Sequence, residues 1–194
     1  MVDYSNIISE LRKDGYYRER MPVDSPQDRY IVIKNKKVLN FSSNDYLGLA
    51  NSNYLKDVFY EKVKKYGVGS GSSPLISGYS SQHKELEQEL TKLTKLDSTV
   101  VMNSGYLANV GLINALSDKD VVILQDKMNH NSIIEGTRLT KSQLIRFNHK
   151  NYSDLSEKIK KVKYGLKIIY VDAVFSMTGE FSDLKKLSSI AREN

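Results

Sequence analysis

A chain of 194 residues, 40% of them hydrophobic, is long enough to bury a core, and its composition is that of a globular protein rather than a disordered or fibrous one. The absence of cysteine removes disulfides, thiolate metal sites and cysteine nucleophiles, and three irregularly spaced histidines predict no metal site. The net charge of +6 raises the question of nucleic acid, but the lysines fall on helical surfaces such as 56–65 and 158–163, which reads as a solvated basic face.

In chain order, residues 1–14 carry charges along their length without the apolar centre of a signal peptide, and no apolar run approaches the ~20 residues needed to span a bilayer. A cytoplasmic protein with no membrane partner is expected. Ile7 to Tyr17 predicts a short amphipathic helix, followed by an arm that Pro22 and Pro26 keep extended. Tyr30 to Ile33 and Lys37 to Phe41 are β-rich runs around a hairpin turn at Asn35-Lys36. Asn40 to Leu49 is polar and aromatic without a period, hence a loop, and Asn53 to Tyr66 predicts a helix with Leu55, Val58, Phe59 and Val63 on one face. Residues 1–50 are expected to form an N-terminal helix, arm and hairpin, and 51–194 the first part of a larger domain.

Gly67 to Gly78 is rich in glycine and serine. It fails as a dinucleotide fingerprint because Ser72 stands where the third glycine would fall and because a helix, not a strand, precedes it. Close backbone approach and positive φ angles explain glycines there. A helix is expected over His83 to Leu96. Beyond it the pattern alternates regularly: strands at Thr99 to Met102, Val121 to Leu124, Gln143 to Phe147 and Lys167 to Val171, with helices at Ala108 to Leu116, Ser132 to Leu139, Asp154 to Val162 and Asp183 to Asn194. Such alternation specifies an α/β fold with a mostly parallel sheet.

Three of these strands end in unusual polar residues where the chain turns into a helix: Ser104-Gly105-Tyr106, Asp126 to His130, and Asp172 to Ser176. At Gly105 and Tyr106 the free amides of a first helical turn would form an anion site suited to phosphate. An ordinary bend permitted by glycine is the simpler alternative. His130 is placed at a helix start, where Ser132 and Glu135 fit a capping box. An imidazole there is suited to stacking on a planar ring, or to a plain capping role. The Ser176 hydroxyl is suited to a phosphate or a ring substituent, or is a plain turn serine. A hydrolase built from Ser176, His130 and Asp126 or Asp172 lacks the Gly-x-Ser-x-Gly elbow.

Taken together, Asn40 to Leu49, Gly69-Ser-Gly-Ser-Ser with Ser77-Gly78, His83-x-x-Leu-Glu87, Ser104-Gly-Tyr-x-Ala-Asn109, Asp126-x-x-x-His-x-Ser132 and Val174-Phe-Ser-Met-x-Gly179 resemble the α-oxoamine synthase family in order and spacing, from about Arg18 onward. These are fold-type I transferases that use pyridoxal 5′-phosphate (PLP), so the resemblance implies part of their large domain, with helices on both faces of the sheet. It further implies that Gly105 and Tyr106 hold the cofactor phosphate, that His130 stacks on the ring and faces the substrate, that Ser176 hydrogen-bonds the cofactor, and that Arg18 contacts substrate. Asn44 matches a polar residue of the active-site loop.

Within the family, whose members act as homodimers, the Phe41 to Leu49 run and the Ser77-Gly78-Tyr79 context are most similar to the biotin-pathway members that condense a pimeloyl thioester with L-alanine. Ser72 and Pro74 depart from the family pattern, and Asp172 stands where glutamate is common. The family's Asp-x-x-His motif and Schiff-base lysine have no counterpart in residues 1–194, so no catalytic residue is assigned and the chain alone is expected to be inactive. Two alternatives remain open: a related synthase taking glycine or serine, and a non-catalytic half or relic that acts by binding a complementary chain.

Overall fold

A computed structural model describes residues 3–194, which divide into two compact units, one ending at Gly78 and the other beginning at Tyr79. In the first unit, helix α1 (Tyr4–Lys13) begins where the Asp3 carboxylate accepts the amides of Ser5 and Asn6. It ends sooner than its apolar pattern suggests, because Gly15 turns left-handed at φ 74° and the Tyr16 and Tyr17 amides fold back on the Leu11 carbonyl. Strands β1 (Tyr30–Ile33) and β2 (Lys36–Leu39) pair antiparallel, Tyr30 opposite Leu39. Their turn lies at Lys34-Asn35, one residue before the expected position, with both residues at positive φ as a tight two-residue hairpin requires.

The Asn40 to Leu49 loop is shaped by its own polar side chains: the Asp45 carboxylate accepts the amides of Leu49 and Ala50, and Asn40 accepts that of Ser42. Helix α2 (Asn53–Tyr66) follows as expected, capped by Ser52. A single π-helical turn at Pro74–Gly78 closes the unit, and a Cβ at Gly78 would collide with the Ser72 carbonyl.

The second unit runs α3 (Ser81–Thr94), α4 (Gly105–Leu116), β3 (Val121–Asp126), α5 (Asn131–Arg138), β4 (Gln143–Phe147), α6 (Tyr152–Lys161), β5 (Leu166–Tyr170) and α7 (Leu184–Glu193). The sheet order is β4-β3-β5, parallel throughout, with Asp126 beside Phe147 and Gln125 beside Tyr170. All six residues of β3 are buried. Its alternation serves both faces: Val122 and Leu124 pack with Phe147, Leu155, Ile159, Leu187 and Ile190 under α6 and α7, while Val121 and Ile123 pack with Ile113 and Ile133 under α4 and α5. The expected parallel sheet covered on both faces is therefore present. Among the described residues no helix is long and apolar enough to cross a membrane.

One expected strand is absent. Residues 99–102 form no strand, and Thr99 and Val101 instead hydrogen-bond to side chains of α3. Val101 donates its amide to Glu87 at 3.2 Å, and the Thr99 hydroxyl donates to that of Thr91 at 3.0 Å, whose own proton goes to the Glu87 carbonyl. Val100 is left 75% exposed, so its β-branched shape, which suggested a strand, meets no sheet.

Helices α4 and α5 cross closely at Gly136, where an added Cβ would meet Val110 Cα at 3.1 Å and Ile113 Cδ1 at 3.0 Å. Gly136→Ala is expected to destabilise the fold by about 1–3 kcal/mol through overpacking, and Leu124→Ala by about 2–5 kcal/mol through the cavity it leaves. Urea unfolding checks both, with exposed Leu139→Ala as the control expected within about 0.5 kcal/mol of the parent.

Candidate functional site at the carboxyl ends of the strands

Helix α4 starts with Ser104 in extended conformation, its hydroxyl accepting the Leu107 amide at 3.2 Å. Among the described residues that cap leaves the amides of Gly105 and Tyr106 without partners, at the positive end of a twelve-residue helix. Gly105 is not demanded by the backbone. Its φ is not left-handed, and a Cβ there would meet open space. Neither backbone strain nor a close neighbour therefore requires glycine at this position.

His130 is the N-cap of α5, which replaces the expected Ser132–Glu135 capping box. The Ser132 amide donates to His130 Nδ1 at 3.2 Å, and Glu135 turns away to pair with Arg138 at 2.6 Å. A backbone N–H only donates, so Nδ1 must accept and the neutral ring carries its proton on Nε2. The Ser132 hydroxyl, fully buried, lies 2.7 Å from the same nitrogen.

Behind Ser132 the hydrogen bonds run in one direction. Asn109 of α4 donates to the Ser132 hydroxyl at 2.8 Å, and the Tyr170 hydroxyl of β5 donates to Asn109 Oδ1 at 2.8 Å. Burial, and then the nearby Asp172 charge, push the Tyr170 phenol above its ordinary pKa, which keeps it a donor. The relay Tyr170, Asn109, Ser132 thus fixes the tautomer of His130 and ties α4 to it. Gly105 lies one turn before Asn109, about 6 Å along the axis.

A second set of bonds joins the ends of β3 and β5. Buried Asn129 donates to the Tyr170 carbonyl at 2.7 Å and accepts the Asp172 amide at 3.1 Å, while Asp172 accepts the His130 amide at 2.6 Å. The aspartate that departs from the family pattern thus reaches the histidine backbone directly. Beyond it, Val174 bridges Phe181 in a small hairpin whose turn holds Ser176, closed by Phe175 and Gly179. Phe175 is buried, whereas Ser176 is exposed and its hydroxyl makes no hydrogen bond within the described residues.

Of the residues singled out in the sequence, Gly105, Tyr106, His130 and Ser176 all belong to the carboxyl ends of this sheet and the helix starts beside them. Arg18 belongs to the first unit, where its guanidinium donates to the Gly15 carbonyl at 2.7 Å. Asn44 accepts from Tyr46 in the same unit. A hydrolytic triad is not formed, since Ser132 rather than an aspartate holds His130 Nδ1. Asn109 falls within the Ser104 to Asn109 motif and Tyr170 within the strand expected at Lys167 to Val171, neither with a role predicted from sequence. Neither spacing nor residue type signals a relay that joins three elements. Among the described residues no group of three or more histidines or carboxylates is placed to hold a metal ion.

The family model for aminotransferase class I and II matches residues 36–194. Curated relatives include 8-amino-7-oxononanoate synthase of Thermosipho melanesiensis, 41% identical over 100% of this chain and 50% of its own length, and that of Thermoanaerobacter pseudethanolicus, 39% identical over 96% and 48%. The chain spans about half the length of the curated relatives it matches. Among solved structures, serine palmitoyltransferase of S. paucimobilis shares the fold at TM-score 0.89 and 24% identity over 98% of this chain and 48% of that one. The 8-amino-7-oxononanoate synthase of Francisella tularensis matches at TM-score 0.66 and 30% identity over 77% and 41%. Fold, motif order and family model agree, and the chain belongs to the aminotransferase class I and II family.

Proposed function

We propose that this chain carries the cofactor-facing part of a PLP-dependent 8-amino-7-oxononanoate synthase, which joins a pimeloyl thioester to L-alanine with loss of carbon dioxide and the thiol, in biotin biosynthesis. The observation that carries the reading is the pair of unpartnered amides at Gly105 and Tyr106 on the same sheet end as an imidazole of fixed tautomer. Relatives bearing that name support the substrate choice, and serine palmitoyltransferase structures that contain PLP support the cofactor.

The residues present fit such a group. An anion-accepting helix start, an exposed flat ring and a free hydroxyl correspond to its phosphate, its aromatic plane and its ring substituent. When bound, PLP supplies an electron sink for the bonds at an amino acid's α-carbon.

The chain's own part is to bind and orient. The Gly105 and Tyr106 amides receive the phosphate, the Ser176 hydroxyl donates to the cofactor, and His130 lays its ring on the pyridine face. With Nδ1 occupied, His130 offers only the Nε2 proton, so it acts toward substrate as a donor and not as a base. Arg18 is assigned to a substrate carboxylate, and the working assembly is a cytoplasmic homodimer. No covalent role is assigned to any described residue.

PLP titration followed by absorbance tests the reading. Gly105→Asp is expected to weaken binding by about tenfold or more, since it puts a like charge beside the phosphate. Ser176→Ala is expected to weaken it by roughly two- to tenfold, the worth of one hydrogen bond. Pyridoxal binding as tightly as PLP would remove the phosphate role of α4. A spectral response to L-alanine in preference to L-serine or glycine favours the oxononanoate reading, and the reverse order favours the serine palmitoyltransferase branch. Nitrogen-15 spectra of the imidazoles are expected to show His130 protonated at Nε2 and bare at Nδ1 near neutral pH, with mixed tautomers in Ser132→Ala.

A further inference from the structure

The proposed cofactor contacts leave unexplained a four-charge cluster next to the Ser176 turn. His149, in the loop between β4 and α6, places Nδ1 2.9 Å from Asp126 Oδ1 and Nε2 3.1 Å from Glu180 Oε2. Lys150 donates its amide to Asp126 Oδ2 at 2.8 Å and its ammonium to Glu180 Oε1 at 3.0 Å. The edge of His149 meets the buried Phe175 ring, with centroids 4.5 Å apart. Asp126 ends β3, and Phe175 and Glu180 are the two sides of the hairpin that carries Ser176.

A carboxylate is an acceptor, so an imidazole bonded to one at each nitrogen must donate from both, and that ring is the imidazolium. Two positive and two negative groups then alternate around the cluster. Burial opposes the charge on His149, but its hydrogen bonds to Asp126 and Glu180 outweigh burial and raise its pKa above 6.5. Lys150, then His149 and Thr178, lower the Glu180 carboxyl from 4.5 to about 2.

We infer that His149 is a positioning residue: as an imidazolium it clasps the Ser176 hairpin to the end of β3, and its loss of a proton loosens the hairpin. A neutral ring has one N–H, so one carboxylate must then face a lone pair. Asp126 is buried and keeps the amides of Met128 at 2.7 Å and Lys150 at 2.8 Å, so Glu180 is the partner that loses its imidazole bond, and the hairpin is then held there by the Lys150 ammonium alone.

Lys150 adds to the effect. It sits left-handed at φ 51°, a conformation disfavoured for a side-chain-bearing residue, and in it the amide reaches Asp126 and the ammonium reaches Glu180. The signs follow by linkage. The raised His149 value gives stabilisation that is complete below about 6.5 and lost as pH rises through the higher folded value, while the lowered Glu180 value gives stabilisation complete above about 4.5 and lost as pH falls through about 2. The clasp is tightest between those limits. Its bearing on cofactor rests on the proposed role of Ser176.

Two readouts on the full chain without cofactor test the clasp. Carbon and nitrogen spectra of the His149 ring are expected to show both nitrogens protonated near pH 6, with titration above 6.5. Amide exchange at Phe175 and Gly179, corrected for its intrinsic pH dependence, is expected to lose protection on the alkaline side by up to about tenfold per pH unit, the limit for release of one proton. In His149→Gln that protection should be low and free of pH dependence, and in Glu180→Gln the His149 titration should move down.

A neutral His149 near pH 6, or wild-type protection that stays constant while the ring titrates, overturns the inference; the ring spectrum needs no variant. PLP titration of the same samples separates the two proposals. Affinity falling with hairpin protection supports both, and unchanged affinity keeps the clasp while removing Ser176 from the cofactor site.

Discussion

Burial of β3 is the constraint on which the second unit depends. A strand enclosed on every side must satisfy its backbone through two neighbours and its side chains through two helical layers, and β3 does both. Its even and odd residues belong to different cores, so a slip by one position would exchange them. Because the strand is fixed in this way, the residues at and just past its end reach defined partners: Asp126 pairs with His149, Asn129 with β5, and His130 with the start of α5. Even Gln125 on β3 is fastened, its amide donating to the Ile133 carbonyl and the Thr137 hydroxyl of α5.

The alternation of strands and helices was legible because it is written in local periodicity, and α2 and β4 fall on their expected bounds. Features set by partners were not. Residues 99–102 have the composition of a strand, but strand formation is a property of pairs, and Glu87 and Thr91 supply their polar contacts instead. Ser132 and Glu135 have the spacing of a capping box, yet the preceding imidazole takes the Ser132 amide first.

The site was legible to a similar degree and for similar reasons. The proposed residues stand out in the sequence as sites where a strand is expected to give way to a helix; that holds for His130, between β3 and α5, whereas no strand precedes Gly105 and Tyr106 and Ser176 lies in a hairpin turn. The groups that orient them, Asn109, Tyr170 and His149, lie 23 to 61 positions from their partners. Tyr170 in particular has the residue type and setting of a core aromatic and uses only its hydroxyl for the relay.

The start of α4 has one more consequence. A ligand seated on main-chain amides meets groups whose direction is already set by the helix, so no side-chain rotamers have to be frozen when it binds. A lysine or arginine doing the same work would surrender rotational freedom on each encounter. The grip is also indifferent to the side chain displayed at Tyr106, which is half exposed. This position can therefore drift in sequence toward whatever a neighbouring surface demands while the proposed anion contact beneath it keeps its two donors.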